Sequence, residues 1–94
     1  MPEFLTLLSL YYACDAMMAH KPLSLTGQQL EQCSAYYDAI KAEFAETPLP
    51  AAGTRAGVDA RRAAYLAFKV WELENGTLVT TMRAEAAALA RNRS

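Results

Sequence analysis

Residues 3–20, EFLTLLSLYYACDAMMAH, decide the fold. Phe4, Leu7, Tyr11, Cys14 and Met18 recur at alternating four- and three-residue intervals, which sets them on one face of an α-helix. Leu5, Leu8, Leu10, Tyr12 and Met17 widen that face until little polar surface remains. A helix that is apolar nearly all round is normally covered on more than one side. The first helix is therefore expected to be the central element, with Pro2 suiting its first turn, where a missing N–H costs no helical bond.

Downstream, Thr26-Gly27-Gln28-Gln29 fits a capping box, in which the hydroxyl and the amide satisfy orphan backbone donors reciprocally. Leu25 and Leu30 stand at the hydrophobic-staple positions around it. Leu30, Cys33, Tyr37, Ile40 and Phe44 form a second apolar seam, with Glu31, Gln32, Asp38 and Glu46 opposite. This helix is expected over 27–46, ending before Pro48 because the residue preceding a proline is pushed out of helical geometry. A short link between the two helices implies an antiparallel hairpin. Its layers would pair Met18 with Leu30, Cys14 with Cys33, Tyr11 with Tyr37, Leu7 with Ile40 and Phe4 with Phe44.

Residues 47–57, with two prolines and two glycines, read as a loop. A third helix is expected over 58–74, its face made of Ala60, Ala63, Ala64, Ala67, Val70 and Trp71 with Leu66 at the edge. Small alanines there would permit close approach to the first helix. A fourth is expected over 78–91, with Val79, Met82, Ala86 and Leu89 on its seam. The rival is a β-hairpin, since Asn75-Gly76 between Val70–Leu73 and Leu78–Thr80 is a type I′ turn signal. Alanine-rich flanks favour helix. The expectation is a single all-α domain over 1–94, a small four-helix fold of two antiparallel hairpins with helix 1 central.

The composition agrees. A chain of 94 residues that is 53% hydrophobic and 20% charged has too much apolar surface for a disordered segment. Two cysteines do not make the disulfide framework of a small secreted domain. The apolar N-terminus lacks the basic region of a signal peptide and carries Glu3 and Asp15. No run reaches the roughly 20 apolar residues of a membrane span. The cytoplasm is the expected location, with no membrane partner.

The net charge of −1 hides an asymmetry. Residues 1–50 carry two lysines against six acidic residues, net −4; residues 51–94 carry seven basic residues against four acidic ones, net +3. Either the halves complement each other, within one chain or head to tail between copies, or Arg55, Arg61, Arg62 and Lys69 form a basic surface for nucleic acid or an acidic protein. No nucleic-acid motif accompanies those residues, so complementary or solvated charge is the expectation.

Three states compete for Cys14 and Cys33, which share a hairpin layer: core thiols, a disulfide, or half a metal site. A structural zinc site needs about four ligands, and His20 points away from Cys14, so no metal or cofactor is expected. Free buried cysteines behave as small hydrophobes, and core thiols are the expected state. Asp15 falls on the apolar face of the first helix. It is expected to be tied to a tyrosine hydroxyl or to an arginine of the second half such as Arg61 or Arg62, the alternative being an acid at a partner site. With Tyr11 facing Tyr37, the neighbours Tyr12 and Tyr36 are expected to be partly exposed and, with Asp15, are the candidate partner-binding residues.

Chemistry at a site finds little support. A single histidine, His20, which precedes a turn expected at Pro22 at a helix end, no glycine-rich phosphate loop and no paired carboxylates leave no catalytic set. The expected function is a non-catalytic protein-binding module, a small helical adaptor or inhibitor that docks on a larger complex. A phage or mobile-element accessory protein is one setting for such a chain. The alternative is a nucleic-acid-associated regulator using the Arg-rich half. Self-association is also expected, since one neighbour does not cover so apolar a first helix.

Overall fold

The computed structural model describes residues 2–20 and 25–92, which form four helices and no strand: α1 (Pro2–His20), α2 (Gly27–Phe44), α3 (Arg55–Glu74) and α4 (Gly76–Asn92). The turn expected at Pro22 lies outside the described residues. α2 starts at the capping box: Thr26 Oγ1 accepts from the Gln29 N–H at 3.1 Å, and Gln29 Oε1 accepts from the Thr26 N–H at 2.8 Å. α2 ends at Phe44, two residues short of expectation, with Ala45 already extended.

α3 begins three residues early, and the reason lies in the preceding loop. Thr54 caps the helix by accepting from the Gly57 N–H at 3.0 Å and donates to the Ala51 carbonyl at 2.7 Å. Arg61 reaches back from the second turn and donates to the carbonyls of Pro50 (2.8 Å) and Gly57 (3.3 Å). The loop is thus fastened to the helix it precedes. Asn75 alone separates α3 from α4. Its backbone N–H and its side-chain amide both donate to the Trp71 carbonyl, while its own carbonyl accepts from Val79. The Asn75-Gly76 pair therefore turns a helical corner, and the β-hairpin alternative is not what forms.

α1 and α2 make the expected antiparallel hairpin. Phe4 meets Phe44 edge-on at 5.6 Å, Tyr11 stacks on Tyr37 at 5.4 Å, and Met18 and Leu30 share a cleft. The second expected hairpin is replaced by another arrangement. α3 and α4 approach one another only over a short stretch, while α3 packs against α2 and α4 against α1. Along α4, Arg83 meets Asp15, and Ala87 and Arg91 lie with Ala16 and His20, so these stretches of α4 and α1 run the same way. The molecule measures 40 × 32 × 19 Å, and its short dimension is about two helix diameters. α1 touches all three other helices and supplies Phe4, Leu8 and Tyr12 to the core, which closes on Ile40, Phe68, Val79 and Ala86.

The α3 seam differs from expectation by a rotation of the helix, and the α4 seam, which keeps Val79, Met82 and Ala86, differs at its last position. α3 buries Gly57, Ala64, Phe68 and Glu72, leaving Leu66 and Val70 more than half exposed. Its alanines Ala60, Ala63 and Ala67 line a cleft with Phe44 and Thr47, so they face the end of α2 and not α1. Large rings decide this: Phe68 lies 5.6 Å from Phe44 and 6.0 Å from Tyr11, and Trp71 lies 5.1 Å from Phe4. Such rings bury far more area than a methyl group. In α4, Ala90 takes the seam position expected of Leu89, which is 54% exposed.

Gly57 is buried where its helix passes the Ala51 carbonyl, and a Cβ there would collide with that oxygen. Gly57→Ala is expected to destabilise the protein by about 1–3 kcal/mol, the usual cost of overpacking. Gly27→Ala, with open space around it, should stay within about 0.5 kcal/mol. Urea denaturation compares the two, and equal midpoints would refute the close-approach reading.

Candidate functional site

The most concentrated chemistry in the fold is a polar cluster around Glu72. Four-residue spacing along α1 carries Phe4 and Leu8 to Tyr12 on the face turned toward α3 and α4, so the Tyr12 hydroxyl enters the core. It donates to Glu72 Oε2 at 2.5 Å. Lys69, one turn earlier on α3, donates to Glu72 Oε1 at 2.9 Å. From α4, Arg83 donates to Glu72 Oε2 at 3.2 Å and to Asp15 Oδ2 at 3.1 Å, with its guanidinium 4.4 Å above the Tyr12 ring. No buried side-chain nitrogen or oxygen among the described residues lacks a partner.

The electrostatics follow from that geometry. Burial by itself raises the Glu72 pKa, but the hydrogen bonds from Lys69 and Tyr12 and the charges of Lys69 and Arg83 outweigh it. The carboxyl stays below its ordinary 4.5. Burial raises the Tyr12 phenol, reinforced by the bond to Glu72 and by its charge. Tyr11 is pushed up to about 12, first by burial and then by the charge of Asp15. Burial raises Tyr37 as well. The cluster at neutral pH is therefore an ionised carboxylate held by two cations and a neutral phenol. A general acid or base works best with a pKa near the operating pH, and these shifts run away from neutrality.

The sequence candidates fare unevenly. Tyr12 is not a surface residue: it is 1% exposed, because it serves the inner face of α1 while Tyr11 serves α2. Tyr36 does keep partial exposure. Asp15 is exposed and pairs with an arginine of the second half, which is Arg83 and neither Arg61 nor Arg62. The basic surface is divided, since Arg61 is occupied with backbone carbonyls and Lys69 with Glu72, leaving Arg55 and Arg62 exposed on α3. Cys14 and Cys33 are joined in a disulfide, with Cα atoms 5.8 Å apart, so core thiols were the wrong expectation. Their layer pairing was legible; their partial exposure was not.

Two shallow clefts flank that disulfide. On the inner side, Tyr11, Asp15, Met18, Leu30 and Tyr37 line a depression of about 220 Å³. On the outer side, Leu10, Met17, Leu25, Gln29 and Tyr36 line one of about 180 Å³. Sequence reading missed Glu72, Phe68 and Arg83. The first two share a four-residue spacing with Ala64, a signal overshadowed by the alanines beside it. No helix of the described residues is long and apolar enough to cross a membrane. Comparison of the chain with protein-family models, curated proteins and solved structures gives no match.

Removing the Tyr12 hydroxyl leaves a buried carboxylate one donor short, so Tyr12→Phe is expected to cost about 1–3 kcal/mol, read from urea midpoints. A second expectation concerns pH. Glu72 has a folded pKa below 4.5, so its contribution is complete above 4.5 and drains away as pH falls through the folded value. Tyr11 rises from 10.0 to about 12, so its contribution is complete below 10.0 and is lost as pH climbs toward 12. Stability should therefore plateau between these limits, with Glu72→Gln flattening the acid limb. An acid limb as steep in that variant as in the wild type would assign it to other carboxylates.

Proposed function

We propose that the chain is a non-catalytic protein-binding module, a small helical adaptor or inhibitor, and that it binds through the outer groove between α1 and α2. The observation that carries this reading is the groove itself. Leu10 stays 41% exposed beside Met17, Leu25 and Tyr36, with Gln29 and Gln32 at its polar edge. Tyrosine and methionine are enriched, and charge depleted, at the centres of protein interfaces. The partner is a larger protein that inserts an apolar side chain into the groove, and a phage or mobile-element accessory role is one setting that suits it.

A second apolar stripe supports self-association: Leu66, Val70 and Leu73 recur at four and three residues along α3 and are 56%, 52% and 83% exposed. The nucleic-acid reading loses weight because Arg61, Lys69 and Arg83 are engaged in hydrogen bonds and ion pairs within the chain. Location bears on the disulfide. Such bonds persist in oxidising compartments and are transient or redox-sensing in the cytosol. With the cytoplasmic setting expected from the sequence, Cys14–Cys33 would belong to the transient or redox-sensing kind.

Affinity capture from lysate followed by mass spectrometry tests the proposal. A specific partner retained by the wild type and by Leu73→Glu should be lost with Leu10→Glu and with Tyr36→Glu, a drop of about tenfold or more in affinity for a central interface residue. Equal retention by all four proteins would remove the groove from the reading. DNA or RNA retention that falls steeply with salt would favour the regulator.

A further inference from the structure

We propose that the Cys14–Cys33 disulfide is a redox latch: its two-electron reduction by a dithiol frees the N-terminal half of α2 from α1 while the rest of the domain stays folded. The distribution of burial along α2 carries this inference. From Gly27 to Ala35 every residue is exposed except Cys33, and the one fully buried residue of the helix is Ile40. The core takes Ile40 and Phe44 from α2 and nothing before them. Tyr37, stacked on Tyr11 and edge-on to Tyr65, marks the boundary. Beyond it the helix meets α1 through the disulfide, through the exposed pair Met18 and Leu30 (44% and 41%), and through Tyr36 against Leu10 and Met17, none of them fully buried. A helical segment of about ten residues is too short to persist on its own in water, even with the Thr26 capping box in place.

The bond is also within reach. Both cysteines border both clefts, one on each face of the hairpin, so a thiolate has two routes to the sulfurs. The exchange balances simply. A thiolate of the dithiol attacks one cysteine sulfur, the Sγ–Sγ bond breaks, and the other cysteine leaves as a thiolate that takes up a proton. The second thiol of the reductant then attacks the mixed disulfide, releasing the remaining cysteine and leaving the reductant oxidised. The latch therefore passes between a closed disulfide and an open dithiol. Its consequence for partners rests on the groove reading, because Leu25, Gln29 and Tyr36 line that groove. The latch itself does not.

Hydrogen exchange with mass spectrometry, on the full chain without any partner, separates the two. Under dithiothreitol, protection across residues 28–36 should fall by about tenfold or more, the signature of local opening, while residues 64–72 of α3 keep theirs. Cys33→Ser should show the same pattern without reductant. Unchanged protection over 28–36 would overturn the latch, and so would parallel loss in α3, which would make the bond a support of the whole domain. A disulfide that resists dithiothreitol until denaturant is added would overturn it equally. Should Cys33→Ser fail to fold, the reduction series on the wild type still decides.

Discussion

One buried carboxylate sets the arrangement of three helices. Glu72 cannot stay ionised at 8% exposure without partners, and the fold supplies them from α1 (Tyr12), from its own helix (Lys69) and from α4 (Arg83). Each partner has to arrive at hydrogen-bond distance, so the register of α1 against α3 and of α4 against both is fixed together. Arg83 carries the constraint outward to Asp15 and thereby ties the acidic first half of the chain to the basic second half. Lys69 and Arg83 remain about 40% exposed, which lets water screen those pairs. The cluster's worth lies more in register than in raw stability, the best-attested use of buried ionic groups.

Around this polar centre the aromatic rings do the apolar work. Phe44 and Trp71 each meet Phe4, Phe68 and one another at 5.1–6.4 Å, and Tyr11, Tyr37 and Tyr65 continue the contact along α2. The packing is dense where α2 ends and sparse where it begins. That gradient leaves one end of the hairpin dependent on a covalent link, and it leaves the outer groove lined by side chains the core does not use. A domain so built has a rigid half and a half that can be released. Binding surfaces and moving segments are drawn from the less stable parts of a structure for that reason.

The four helices, the capping box of α2 and the antiparallel pairing of α1 with α2 were legible because they depend on local spacing and local hydrogen bonds. Thr26 and Gln29 complete their box within one turn, and Phe4, Tyr11 and Cys14 find Phe44, Tyr37 and Cys33 by counting along two seams. Tyr36 was legible as a partly exposed residue by the same counting, since it sits beside a seam position. Tyr12 was not, because a helix with two buried faces gives one periodicity signal for both, and nothing local says which neighbour a given residue serves.

By itself the sequence determined the helical content, the start of α2, the first hairpin and the fact that charge is divided between the halves. The tertiary structure alone decided that α3 and α4 part at Asn75, that Glu72 is buried, that Arg83 is the partner of Asp15, and that Cys14 and Cys33 are oxidised together. The physical reason is range. Propensity, capping and periodicity act over a few residues, whereas burying a charge requires donors brought from 11 and 60 residues away in the chain. Which face of a helix wins the core then depends on the bulk presented by the helices it meets, and no single helix carries that information.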